Sequence, residues 1–146
     1  MPDNTLIFME EKPKMETSEE VMFFDTDVGG VVHNIAYLRF IETCRTRLAV
    51  QLGMNLRSMM DTKKFPVVLR TEINYIRPAL LGDVLTIRGW LAEITGVRFW
   101  CDFEIIRPED GAKLVTCRQA LALIQMPSGK VLRLPADFGS APKRPA

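Results

Sequence analysis

One histidine and three cysteines are all the imidazole and thiol ligands that this 146-residue sequence offers a metal. The cysteines, at 44, 101 and 117, lie too far apart for a Cys-x-x-Cys pair and are odd in number, so they form no disulfide framework. A zinc site is therefore not expected, nor is any other metal or redox cofactor. The thiols read instead as small buried hydrophobes in a reducing cytoplasm. Excess charge of one sign is also absent: 19 basic residues against 18 acidic ones leave a net charge of +1. That balance gives no general reason to expect nucleic acid or a membrane surface as partner. No apolar run approaches the roughly 20 residues of a membrane span. Residues 1–16 place acids where a signal peptide needs bases and read as a flexible leader, which makes the expected location cytoplasmic. There is no Gly-x-Ser-x-Gly elbow, no phosphate-binding loop and no Gly-x-Gly-x-x-Gly, which sets aside serine hydrolases and nucleotide enzymes.

What remains is one domain, residues 17–138, followed by an irregular tail over 139–146. A short strand is expected over Thr17–Phe24, a loop over Asp25–Val32, and a helix from Asn34 to Leu52. Ile35, Leu38, Ile41, Leu48 and Leu52 recur at helical spacing, widened by Ala36, Phe40, Cys44 and Ala49. Gly53 is placed to end the helix. The following segment, MNLRSMMDTKKF, has room for one more helical turn. After Phe65 the period becomes two: Val67, Leu69, Thr71, Ile73 and Tyr75 share one strand face, with Arg70, Glu72 and Asn74 on the other. Pro78 and Gly82-Asp83 break that strand. Further alternations run through Leu85–Leu91 and Phe99–Ile105, separated by Gly96, and after Pro-Glu-Asp-Gly a long strand is expected over Lys113–Met126. A Pro-Ser-Gly-Lys turn and a short Val131–Leu134 strand follow. The order predicts an antiparallel sheet with one face covered by the helix, an α+β layer. Trp90 and Trp100 fall on the outer register and are expected at a subunit interface.

The stretch FFDTDVGGVVHNIAYLRFIE, Phe23 to Glu42, concentrates the chemistry. Two acids, a Gly-Gly pair and the only histidine precede a helix. One reading is architectural: Asp25, Thr26 and Asp27 make turn hydrogen bonds, and Asn34 caps the helix. The other reading is chemical. A helix start presents unpaired N–H groups and a positive dipole end to a polarised carbonyl oxygen. Gly29 and Gly30 let a substrate approach the backbone. Asp27 would stand beside that carbonyl as nucleophile or as base for a water.

The same residues resemble the signature of the hotdog-fold acyl-CoA thioesterases of the 4-hydroxybenzoyl-CoA thioesterase type: an Asp-x-Asp, a glycine-containing loop, a polar pair, then Tyr-Leu and a Glu. The likeness continues through INYIRPALLGDVLTIRGWL to RLPADF. It implies a long central helix wrapped by a curved antiparallel β-sheet, and a homodimer or homotetramer with sites at the subunit interface. It further implies hydrolysis of an acyl-CoA without a cofactor, with Asp27 as the catalytic acid and Asp25 ordering the loop. His33 and Asn34 complete the expected catalytic set, their backbone N–H groups holding the thioester oxygen. Gly30, Val31 and Tyr37 are the expected substrate contacts, and Glu42 is expected as a buried structural carboxyl. Where relatives with a catalytic histidine read Tyr-His, this sequence reads His33-Asn34. That departure supports the alternative of a non-catalytic hotdog module that binds acyl-CoA or a protein partner.

Overall fold

The structure, a computed structural model, describes residues 13–140, so the greater part of the expected leader and the end of the tail lie outside the described residues. Its elements are β1 (Lys14–Glu20), α1 (Asn34–Gln51), α2 (Leu56–Thr62), β2 (Lys64–Tyr75), β3 (Val84–Thr95), β4 (Arg98–Arg107), β5 (Ala112–Gln125) and β6 (Lys130–Val131). The strands form one six-stranded antiparallel sheet in the order β1-β3-β4-β5-β2, with β6 paired to β5. The mixed α+β architecture is that of the hotdog fold, a curled sheet around one long helix.

Helix α1 forms because eighteen residues run without Gly or Pro and carry their apolar side chains at helical spacing. Ala36, Tyr37, Phe40, Ile41, Cys44, Leu48 and Ala49 are its buried face. They pack on Leu85, Ile87, Phe99, Cys101, Phe103, Ile105, Val115 and Leu121, which are the inward positions of β3, β4 and β5. No helix among the described residues is long and apolar enough to cross a membrane.

The structure departs from the expected elements in four places. The first strand runs over Lys14–Glu20 rather than Thr17–Phe24: the polar alternation KMETSEE pairs with β3, while Phe23–Asp25 form a 3-10 turn. The buried stripe of α1 is rotated from the expected one, because Tyr37 turns inward and leaves Ile35 69% exposed. In β2 the register slips between Val68 and Arg70, a bulge that flips the strand's faces. Val68 therefore packs on the core, and Val67 and Leu69 face outward at 39% and 47% exposure. Finally, β6 is two residues long and does not extend to Leu134, although Leu132 still donates its N–H to the carbonyl of Leu123 at 2.9 Å. The expected extra helical turn is α2, whose N-cap Asn55 accepts the N–H of Ser58 at 2.8 Å.

Candidate active site

The loop ahead of α1 is a small hairpin. The N–H of Asp27 donates to the carbonyl of Val31 at 3.0 Å, and the N–H of Gly30 donates to the carbonyl of Asp27 at 3.2 Å. Gly29 and Gly30 sit at φ +97° and +74°, the left-handed region that side chains disfavour, which is why the turn uses two glycines. The hairpin is pinned to the segment after β2: Leu81 donates to Gly30 at 2.9 Å and Val32 donates to Ala79 at 3.0 Å. Gly30 and Val31 thus have their backbones committed to holding the turn in place.

The two acids of this loop have opposite surroundings. Asp25 is 1% exposed. One of its oxygens accepts the N–H of Met22 at 3.0 Å, and the other accepts from Arg39 Nη2 at 3.1 Å. Arg39 also reaches Glu19 at 3.3 Å, so one helix residue ties the loop to β1. Asp27 is exposed, and its carboxylate has no hydrogen-bond or ion-pair partner among the described residues.

His33 stands outside the helix and caps it. Its Nδ1 accepts the N–H of Ala36 at 3.1 Å, and its Nε2 lies 3.3 Å from the carbonyl of Phe24. An amide N–H can only donate, so Nδ1 is unprotonated in this contact and Nε2 carries the proton toward Phe24. The N-cap is therefore His33 and not Asn34. The His33 N–H is itself taken, donating to the carbonyl of Asp25 at 3.0 Å. The N–H groups of Asn34 and Ile35 have no acceptor among the described residues.

Behind the helix start lies a cleft of about 280 Å³ lined by Val32, Asn34, Tyr37, Tyr75, Ile76, Arg77 and Pro78. Tyr37 is its inner wall. Its hydroxyl accepts the N–H of Ala79 at 2.9 Å, and its ring packs against Tyr75 with centroids 5.6 Å apart. Burial raises the pKa of that hydroxyl above its ordinary value. The Tyr75 hydroxyl donates to the carbonyl of Asn34 at 3.2 Å, closing β2 onto the first turn of α1.

Of the residues singled out from the sequence, the structure brings Asn34 and Tyr37 together in this cleft. It sets Asp27, Gly30, Val31 and His33 in the adjoining hairpin and cap. Glu42 is not a buried carboxyl: its side chain is 67% exposed and pairs with Arg45 at 3.5 Å. Tyr75 and Arg77 were missed. The signal available for them was the end of the β2 alternation at an aromatic residue just before Arg77-Pro78. The thiols offer no nucleophile here, since burial pushes Cys44 up to about 11 and Cys101 and Cys117 up to about 12.

A family model described as the thioesterase-like superfamily matches residues 21–141. A probable thioesterase from Bartonella henselae of known structure is similar at 33% identity, with a TM-score of 0.76, covering 84% of this chain and 99% of that one. The acyl-CoA thioesterase YbgC of Haemophilus influenzae is 30% identical over 88 residues, which are 60% of this chain and 65% of that protein. The 1,4-dihydroxy-2-naphthoyl-CoA hydrolase of Synechocystis sp. is 26% identical over 126 residues, 84% of this chain and 89% of that one. The chain thus spans less than two thirds of the length of the Haemophilus protein.

Proposed function

The chain belongs to the thioesterase-like superfamily, and from that premise we propose that it hydrolyses an acyl-CoA thioester to the free acid and CoA, with Asp27 as the reacting carboxylate. The observation that carries this reading is the unequal state of the two loop acids. Asp25 has both oxygens occupied by Met22 and Arg39, whereas the exposed Asp27 carboxylate, in the hairpin that precedes the helix, has no partner among the described residues. A free carboxylate can take a proton from water or attack a carbonyl, and one fully engaged in hydrogen bonds can do neither readily. The oxyanion that forms as the carbonyl becomes tetrahedral is received by the N–H groups of Asn34 and Ile35, at the positive end of the α1 dipole. Loss of one such donor costs about 3–4 kcal/mol in other hydrolases. His33 is assigned the ordering of that helix start, Asn34 and Tyr37 the acyl contacts, and the Gly30–Val31 turn the wall beside the entering thioester.

Two routes conserve atoms. In one, Asp27 removes a proton from water, hydroxide adds to the carbonyl, the C–S bond breaks, and the thiolate of CoA recovers the proton. In the other, an Asp27 oxygen attacks the carbonyl, CoA leaves as thiolate, and water cleaves the resulting anhydride. Label found in Asp27 after a single turnover in ¹⁸O-labelled water identifies the second route, with water adding to the Asp27 carbonyl of the anhydride. Both predict the same primary result in a thiol-release assay over aromatic, short-chain and long-chain acyl-CoAs. Asp27→Asn abolishes nearly all turnover in a protein of unchanged circular dichroism, while Asp25→Asn costs much less. Turnover retained by Asp27→Asn would overturn the assignment. We further propose that the working form is a homodimer joined through the free edge of β2, which borders the cleft.

A further inference from the structure

Two arginines flank Pro78, and the chain treats them differently. Arg107 is saturated: Nη1 reaches Asp83 at 3.0 Å and Nη2 reaches Asp110 at 2.9 Å. Arg77 has no carboxylate or carbonyl acceptor for its guanidinium among the described residues, although it lines the cleft beside the helix start. Its backbone is held on both sides. The N–H groups of Ile76 and Arg77 donate to the carbonyl of Leu114 at 2.8 and 3.2 Å, and the N–H of Ala79 is fixed by Tyr37. Pro78 lies between these anchors with a fixed φ. An exposed cation with no counter-charge among the described residues thus stands on a fixed backbone at a cleft whose other lining residues are Val32, Asn34, Tyr37, Tyr75, Ile76 and Pro78.

We propose that Arg77 selects acyl groups that end in a carboxylate, so that the preferred substrates are monothioesters of dicarboxylic acids. The inference rests on the acyl-CoA hydrolase reading and names its substrate class. An apolar or aromatic acyl group would need only the walls; a guanidinium adds a fork of N–H donors matched to two carboxylate oxygens. The phosphates of CoA are a poorer fit for the same cation. The pantetheine arm holds them far from the reacting carbonyl, whereas Arg77 and Asn34 line one cleft of about 280 Å³. That volume is on the scale of a short acyl chain or a single ring.

The test compares glutaryl-CoA with valeryl-CoA, equal in chain length and differing in the terminal carboxylate. Binding is measured by calorimetry on the Asp27→Asn protein, so that it is read apart from turnover. Glutaryl-CoA is expected to bind at least about tenfold more tightly, the scale of one charge-assisted contact. Arg77→Ala in that background erases the difference by weakening glutaryl-CoA alone, and Arg77→Lys restores part of it. In the wild-type enzyme the same substitution raises KM for glutaryl-CoA and leaves kcat nearly constant. Equal binding of the two thioesters before substitution would overturn the proposal. So would equal weakening of both thioesters and of free CoA by Arg77→Ala, which would put the cation on the phosphates. A glutaryl preference in a protein that hydrolyses no thioester would uphold the carboxylate site and remove the hydrolase reading instead.

Discussion

Asp25 and Asp27 are two positions apart, chemically identical, and opposite in surroundings, because Arg39 reaches only the first. The presence of an acid pair, a Gly-Gly turn and a helix start was legible from local spacing. The pairing with Arg39 was not, since it depends on where the helix lies relative to the loop. The cap was misread for a similar reason. Asn is a strong N-cap residue and His is not among the favoured types, so composition pointed to Asn34. The helix includes Asn34 itself, so the residue before it, His33, takes the capping position with its imidazole. This geometry makes His33 testable as a positioning residue. His33→Ala is expected to lower stability by about 0.5–2 kcal/mol in urea denaturation, the range for a lost cap. It should lower turnover about tenfold or less, below the roughly 10²–10⁴ typical of a general acid–base group. His33→Asn, which can cap but cannot move a proton near neutrality, should recover both. Recovered stability with turnover still as low as in Asp27→Asn would make His33 a catalytic partner.

At the scale of elements, the strands with two distinct faces were readable, and those with irregular pairing were not. β3 and β4 alternate because one face meets α1 and the other does not. β2 begins with the same period, but the bulge at Leu69 shifts it by one residue, and nothing in the apolar run KFPVVLR marks where the extra residue falls. β1 was placed too late because its half-buried positions include Thr17 and Glu19, which carry no apolar signal. Gly89 shows a requirement that sequence alone hides. It sits mid-strand in β3, where a Cβ would come within 2.7 Å of the Phe103 ring and 3.1 Å of Cys44 Sγ. Both neighbours are buried, and the ring cannot swing out to solvent. The helix crosses the sheet at this point only because a side chain is missing. Gly89→Ala should therefore destabilise by about 1–3 kcal/mol, the usual cost of overpacking. Thermal or urea melts within 0.5 kcal/mol of wild type would show that the helix and sheet can separate more easily than this contact implies.

The whole molecule presents two sheet edges, and they differ. β1 shows solvent the side chains of Lys14, Glu16, Ser18 and Glu20, charges and a hydroxyl that discourage a further strand. β2 is twelve residues long and has Leu69 at its bulge and Tyr75 at its end exposed, with the cleft opening alongside. A long edge with apolar side chains invites pairing, and a second copy of the same edge is antiparallel to it by two-fold symmetry. That asymmetry argues for a dimer through β2 rather than β1, and it places the partner next to the Tyr75–Asn34 contact that closes the site. Outward-facing Trp100 is partly satisfied within the subunit, since the Arg118 guanidinium lies 5.1 Å from its ring centre, which weakens the case for the outer sheet face as the first interface. The expectation is a dimer by sedimentation velocity at micromolar concentration. Leu69→Lys, which adds a charge at an exposed edge position without touching the core, should shift it to monomer with unchanged circular dichroism. If the partner also completes the cleft, turnover should fall with the dimer fraction and recover on raising the protein concentration. A wild-type protein that sediments as a monomer, or a Leu69→Lys protein that remains dimeric, would remove β2 as the joining edge. Dimerisation with turnover independent of concentration would keep the edge but confine the site to a single subunit.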